Sequence, residues 1–191
     1  MSVLTWWNNL EVQWKNAFSI TTFHHLNPPI IGKLQRLIDI SILRFTGPSA
    51  PYPNMNFELT NLSGIEELKN LEILVVTHHR IKEIAPLKSL QKLKSLFLFN
   101  NQVESLKGIE GLENLEQLYV QCNNISSLEP LRKLTNLKEV YVNNNLIVSL
   151  NGLTEEHSTK LTNFYCMPNE LLSQKEMIFV ENQLRIKCKT V

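Results

Sequence analysis

The sequence predicts an α/β solenoid, a row of short coils that stack one parallel strand on the next and are closed by helices at both ends. Three observations carry that prediction. A unit of about 22 residues recurs through the middle of the 191-residue chain, starting at Ile65, Leu87, Ile109 and Leu131. Within the units, two apolar residues flank a single residue, as in Leu96-x-Leu98, Leu118-x-Val120 and Val140-x-Val142, which is the period of a strand with one buried face. After each strand an Asn falls at a fixed place, Asn101, Asn123, Asn145 and Asn169, with His79 in that place in the first regular unit.

The other apolar positions keep the same offsets: Leu87, Leu90 and Leu93, then Ile109, Leu112 and Leu115, then Leu131, Leu134 and Leu137. Their three-residue spacing suits a tight helical turn, so each unit reads as a strand and a return segment. One unit cannot bury its apolar side alone and stands only when stacked on its neighbours. An inward Asn has enough donors and acceptors to satisfy turn backbone in its own coil and in the adjacent one. Removing it leaves buried groups unpaired, at a cost of roughly 1–3 kcal/mol.

Weaker copies extend the array over residues 31–171, about six coils in all. Upstream, Ile31, Leu34, Leu37, Ile40 and Ile42 repeat the first half of a unit and Leu59 and Leu62 the second. The insertion between them, residues 45–58, contains Pro48, Pro51 and Pro53 and is expected to be a loop. Downstream, Leu161, Phe164, Cys166, Asn169 and Leu171 restore a final unit. Residues 1–30 are expected to form an N-terminal helical cap, with Trp7, Leu10, Trp14 and Phe18 on one stripe and Thr5 as N-cap. Residues 172–191 read as a helix-plus-strand cap. Ser173 and Glu176 fit a capping box opening a helix through Gln183, and Arg185 to Cys188 fit an edge strand. All three parts are expected to form one structural domain.

The strings Leu-Phe-Leu-Phe-Asn-Asn-Gln-Val at 96–103 and Leu-Tyr-Val-Gln-Cys-Asn-Asn-Ile at 118–125 match the signature L-x-L-x-x-N-x-I of leucine-rich repeats. Units ending Ala85-Pro86, Lys107-Gly108, Glu129-Pro130 and Asn151-Gly152 resemble the class found in internalins and in regulatory subunits of protein phosphatases. The resemblance implies a right-handed, arc-shaped solenoid with strands on the concave face and mostly 3₁₀ or other short helical turns on the convex face. It also points to a bacterial source. It leaves the partner open, because the family binds many unrelated ones.

The residue between the two inward positions of each strand faces out. Coil by coil these are Ser41, Val75, Phe97, Tyr119, Tyr141 and Tyr165; two residues on lie Thr77, Phe99, Gln121, Asn143 and Met167, and two before lie Ile73, Ser95, Gln117, Glu139 and Asn163. The expected partner-binding residues are Val75, Phe97, Phe99, Tyr119, Gln121, Tyr141, Asn143, Tyr165 and Met167. Tyr offers large contact area and a hydroxyl for little lost rotamer freedom, which suits a protein or extended peptide partner. The rings could instead serve the sheet alone, since neighbouring aromatics stabilise strands by packing together. Exposure of Phe97 and Phe99 favours binding over that reading. Two alternatives stay open: a small-ligand or enzymatic pocket built from His78, Asn100, Cys122, Asn144 and the inserted loop, and homo-oligomerisation through the concave face. The loop could join the binding surface or only shield the first coil.

Composition narrows the rest. A net charge of +1 with interspersed signs gives no electrostatic footprint for nucleic acid or membrane surface. Nothing is long enough to span a bilayer, and Met1 to Phe18 lacks the pattern of a signal peptide. Cys122, Cys166 and Cys188 are widely separated and give neither a disulfide framework nor paired metal-ligand spacing, so a reducing cytoplasm is the expected compartment; whether the chain is a monomer or an oligomer stays open. The pairs His24-His25 and His78-His79 would point to opposite sides of a strand and not chelate one ion. No nucleophile elbow, phosphate loop or carboxylate pair appears, so no enzyme activity, cofactor, catalytic residue or metal site is expected.

Overall fold

Leucine spacing translates directly into a sheet. The computed structural model describes residues 2–24 and 29–191, so His25 of the first His pair lies outside the described residues. Seven strands, β1 (Ile42–Thr46), β2 (Ile73–Thr77), β3 (Ser95–Phe97), β4 (Gln117–Tyr119), β5 (Glu139–Tyr141), β6 (Asn163–Met167) and β7 (Cys188–Thr190), pair in chain order and all in parallel. The inward positions meet in register: Leu74 opposite Leu96, Leu96 opposite Leu118, Leu118 opposite Val140. All of these are fully buried, as are Leu87, Leu90, Leu93 and their counterparts in the return segments. The return segments carry 3₁₀ turns at Ser63–Ile65, Ala85–Ser89, Glu129–Leu131 and Glu155–Thr159.

The fixed asparagines tie coil to coil. Asn123 Nδ2 donates to the carbonyl of Val120 in its own coil (3.1 Å) and of Leu98 in the coil before (3.0 Å), while its Oδ1 accepts from Val103 N–H (2.8 Å). Asn145 repeats this with Val142, Val120 and Ile125, and Asn101 with Leu98, Val76 and Ile81. Asn169 bonds the carbonyls of Val142 and Cys166 and receives Asn145 N–H. His79 makes only part of the pattern. Its Nδ1 accepts from Leu59 N–H at 3.1 Å, but its Nε2 is buried without a hydrogen-bond partner.

The first coil is phased differently from the sequence expectation. The inward pair is Leu43 and Phe45, opposite Leu74 and Val76, whereas Ile42 is 55% exposed. Ser41 precedes the strand, and Arg44 takes the outward position opposite Val75. Packing decides the phase: the Phe45 ring meets Trp14 at 5.4 Å and Phe18 at 5.7 Å, edge to face, contacts Ile42 could not make. The insertion therefore begins after Thr46. Its first residue, Gly47, donates its N–H to Thr77 O, and a Cβ there would sit 1.7 Å from the His78 carbonyl oxygen. The return segment of this coil is a true helix: after the cap helices α1 (Val3–Asn9) and α2 (Val12–Phe18) comes α3 (Ile31–Ile38), which buries Leu34 and Leu37 but leaves Ile31 exposed.

The N-terminal stripe is buried as expected, but on two helices: α1 (Val3–Asn9) and α2 (Val12–Phe18) are separated by extended backbone at Leu10. Ser2, not Thr5, caps α1, its Oγ accepting from Thr5 N–H at 3.1 Å. The break lets the Glu11 carboxylate reach Asn61 Nδ2 (3.0 Å) and Ser63 Oγ (2.9 Å) on the adjoining coil. Those hydrogen bonds, Asn61 foremost, hold the Glu11 carboxyl below its usual pKa. Trp14, fully buried, donates Nε1–H to Asn61 Oδ1 at 3.1 Å and lies flat against Gly64.

At the other end, Leu172 is buried and Leu171 exposed, reversing the expected phase. Ser173 Oγ accepts from Glu176 N–H at 3.3 Å, half of a capping box. The Glu176 carboxylate turns away to Ser149 Oγ (3.0 Å) and Leu150 N–H (3.1 Å) of the neighbouring coil. Helix α4 (Gln174–Phe179) continues as a π turn, Val180–Leu184, and the edge strand comes later than expected, as β7, because Arg185 turns the chain in a left-handed conformation (φ 58).

Two outcomes follow from this packing. A Cβ on Gly64 would lie 2.1 Å from the Trp14 ring, so Gly64→Ala must displace the indole. Urea denaturation should report a loss of about 1–3 kcal/mol. Burial pushes His79 down from 6.5 to about 4. Above pH 6.5 folded and unfolded chains are both neutral here; between 6.5 and about 4 only the unfolded chain binds the proton, so stability falls as pH falls, by on the order of 3 kcal/mol. Burial lowers His157 too and adds to the same slope. His79→Asn, which restores the residue of the other coils, should flatten most of the decline between pH 6.5 and 4, read as denaturation midpoints across that range.

Candidate functional site

Strand pairing places seven outward residues in one row: Arg44, Val75, Phe97, Tyr119, Tyr141, Tyr165 and Lys189. Its four rings are stacked, Phe97 on Tyr119 at 4.7 Å, Tyr119 on Tyr141 at 4.3 Å and Tyr141 on Tyr165 at 4.4 Å, with interplanar angles of 27°, 12° and 18°. Backbones of adjacent strands lie roughly 4.8 Å apart. The ring centres sit at or just inside that spacing, so the side chains rise from their strands in stacked contact without splaying apart.

Stacking hides the ring faces and leaves edges and hydroxyls to solvent. Phe97 is accordingly half-buried, and so is Phe99, whose ring meets the His78 imidazole edge-on at 5.5 Å; neither is exposed as the sequence led us to expect. Tyr119 donates its hydroxyl to Glu139 Oε2, and burial, reinforced by that carboxylate, pushes its pKa up. Burial and the neighbouring phenol of Tyr165 do the same for Tyr141. Both phenols therefore stay neutral donors at physiological pH. At the far end Lys189 Nζ stands 5.6 Å from the centre of the Tyr165 ring and donates to Thr162 O (2.9 Å) and Asn163 Oδ1 (2.7 Å).

The flanking rows differ in character. On one side Ser95 donates to Gln117 Oε1 at 2.7 Å. On the other, Phe99, Gln121 and Met167 are half-buried, Thr77 is buried, and Asn143 is only 3% exposed. Asn143 thus lies beneath its neighbours and is not presented to a partner as the sequence implied. The Oε1 of Gln121 and the Oδ1 of Asn143 have no hydrogen-bond partner.

Just beyond the strands, His78, Asn100, Cys122 and Asn144 form a second column, each in the left-handed conformation (φ 60, 55, 57 and 54) that turns the chain from strand to return segment. Asn100 Nδ2 lies 2.9 Å from His78 Nε2. An amide nitrogen only donates, so Nε2 accepts and the neutral ring carries its proton on Nδ1. Burial lowers the His78 pKa. Its neighbour His79 points into the core, so the two imidazoles do not converge. Among the described residues, no three His, Cys, Asp or Glu side chains gather to hold a metal, and no helix is long and apolar enough to cross a membrane.

The inserted loop borders the start of the row. Asn54 pins it, accepting from Thr46 N–H and donating to Arg44 O, both at 2.7 Å, and Arg44 Nη2 donates to Tyr52 O at 2.9 Å. Between loop and sheet lies an apolar cavity of about 430 Å³, lined by Pro51 and Tyr52 on one side and Val75, His78 and Phe99 on the other. The row's two cations escaped the sequence reading. Arg44 was hidden by phasing the first strand on Ile40 and Ile42, although Leu43-x-Phe45 carries an equally good alternation; Lys189 lay in a segment without repeat signal.

Residues 91–133 and 113–155 match the family model for leucine-rich repeats in two copies. A search of curated proteins gives no significant match. Among solved structures, an internalin (inlF) from Listeria monocytogenes superposes with a TM-score of 0.59 at 23% identity, over 70% of this chain and 38% of that one. Internalin C2 (inlC2) from the same organism aligns over 99% of this chain and 97% of its own, at 17% identity and a TM-score of 0.44. This chain thus spans 38% of the length of the internalin that shares its fold more clearly. With the repeat signature matched over residues 91–155, one parallel sheet and an asparagine at four successive turns, the chain folds as a leucine-rich-repeat solenoid of the kind seen in that internalin.

Proposed function

We propose that this protein is a non-catalytic module that binds a protein or extended peptide on the concave face, along the row from Val75 to Tyr165. Membership of the leucine-rich repeats supports an interaction role, because stacked coils of this kind present extended concave surfaces to partners. The observation that carries the finer reading is the stacked quartet Phe97, Tyr119, Tyr141 and Tyr165, gathered on one open flank between two cations.

Lateral stacking alone contributes roughly 0.2–1 kcal/mol per pair. It also fixes the rings before any partner arrives, so little rotamer entropy remains to be lost on binding. A partner meets ring edges and the hydroxyls of Tyr141 and Tyr165, with Phe99, Gln121 and Met167 half-buried at the rim. Arg44 and Lys189 at the two ends favour a segment with acidic flanks. The cavity beneath Tyr52 would seat one apolar side chain of the same segment, which makes the inserted loop part of the surface.

Photo-crosslinking residues placed at Tyr141 and Tyr165, and at Lys133 on a return segment, test the surface. Adducts with one partner are expected from the first two sites and not from the third. Phe97, Tyr119 and Tyr141 changed together to Ser should weaken binding of that partner by about 30-fold or more while cooperative unfolding persists. Adducts arising from Lys133 alone, or unchanged affinity in the folded triple variant, would remove the concave row from consideration.

A further inference from the structure

The fold brings together two of the three cysteines that lie far apart in the sequence. Strand β7 runs beside β6 with Cys188 opposite Phe164 and Lys189 opposite Tyr165; Thr190 then meets Met167, so β6 accommodates one extra residue, Cys166. Phe164 faces the core, and Cys188, which shares its side of the sheet, packs against that core while remaining half-buried. Cys166, two residues past Phe164, faces the same way and is fully buried. The two thiols thus lie diagonally across the β6–β7 pair on one face of the sheet.

We propose that Cys166 and Cys188 are a site of reversible intramolecular disulfide formation, oxidised by a low-molecular-weight disulfide such as glutathione disulfide. The pair is chemically unequal in the way such a step requires. Cys188 is reachable from solvent, and the neighbouring Cys166 thiol favours its thiolate and lowers its pKa, against burial and the nearby Glu181 carboxylate. The same pairing, with burial, pushes Cys166 up. Cys188 Sγ attacks one sulfur of glutathione disulfide, its S–S bond breaks, and one glutathione leaves as thiolate. Cys166 Sγ then attacks Cys188 Sγ in the mixed disulfide and expels the second glutathione, whose sulfur takes up the Cys166 proton. Two protein thiols are oxidised and one glutathione disulfide is reduced to two glutathiones.

The new bond would staple the edge strand to the last repeat and with it fix Lys189 over Tyr165. Cys122 stands apart, half-buried on the column beyond the strands, and takes no part.

The full chain carrying Cys122→Ser, incubated with glutathione disulfide under native conditions, tests the site by thiol titration, intact mass and thermal melting. Both remaining thiols should disappear from the monomer with loss of two hydrogens in mass and no retained glutathione, and the melting midpoint should rise by about 5 °C or more. Dithiothreitol should reverse all three. Two thiols that persist, or a stable glutathione adduct on Cys188 beside a free Cys166, would overturn the proposal. Cys166→Ala in the same background should trap the adduct on Cys188; its failure to do so in the folded variant would overturn the order of attack.

Discussion

From β3 to β6 each coil of this solenoid is held to the one before it by an inward amide with partners on both sides. Asn123 shows the arrangement: its two N–H groups reach carbonyls in successive coils and its oxygen receives an N–H from the earlier one. None of these backbone groups lies where a strand ladder or a helix could satisfy it, and all are buried. The leucines supply the driving force for stacking, but leucine packing is tolerant of rotation and shift. The amide is not, because it fixes the height, the phase and the turn of every coil at once. His79 marks where that control loosens. An imidazole offers one donor and one acceptor where the amide offers two donors, and the coil bearing it is the one that abuts the irregular start of the array.

What could be read from the residues follows from that regularity. Between Ile65 and Leu150 every inward position, strand and turn asparagine was legible, because identical environments demand identical side chains. The ends were misread where the environment stops repeating. At β1 the strand must serve both a coil and a cap, and the demand of Trp14 and Phe18 for a ring partner selects Phe45 over Ile42. At the N-terminus a continuous helical stripe hid a break, since the stripe records which residues are buried and not where the axis bends; Glu11 sets the bend through Asn61 and Ser63, partners about fifty positions away that no local pattern could reveal. Leu171 and Leu172 are adjacent leucines, between which composition cannot choose.

The aromatic row was legible as a list and not as a geometry. Alternation alone put Val75, Phe97, Tyr119, Tyr141 and Tyr165 on one flank, and the strands are paired in that register. Nothing in the sequence told whether the rings would stand apart as separate contacts or close on one another. They close, and the surface they present is a ridge of edges and hydroxyls flanked by a partly unsatisfied polar row. The juxtaposition of Cys166 and Cys188 belongs to the same class of information: spacing along the chain said nothing of it, and the order of strands in the sheet creates it.

The stacking of the rings also has a mechanical meaning. Rings already in contact act as a stop on their side of the sheet: bending that brings the strands' outward faces together drives Tyr119, Tyr141 and Tyr165 into collision. The quartet therefore limits how tightly the sheet can bend along this row, and a body seated there meets a surface that yields little in that direction.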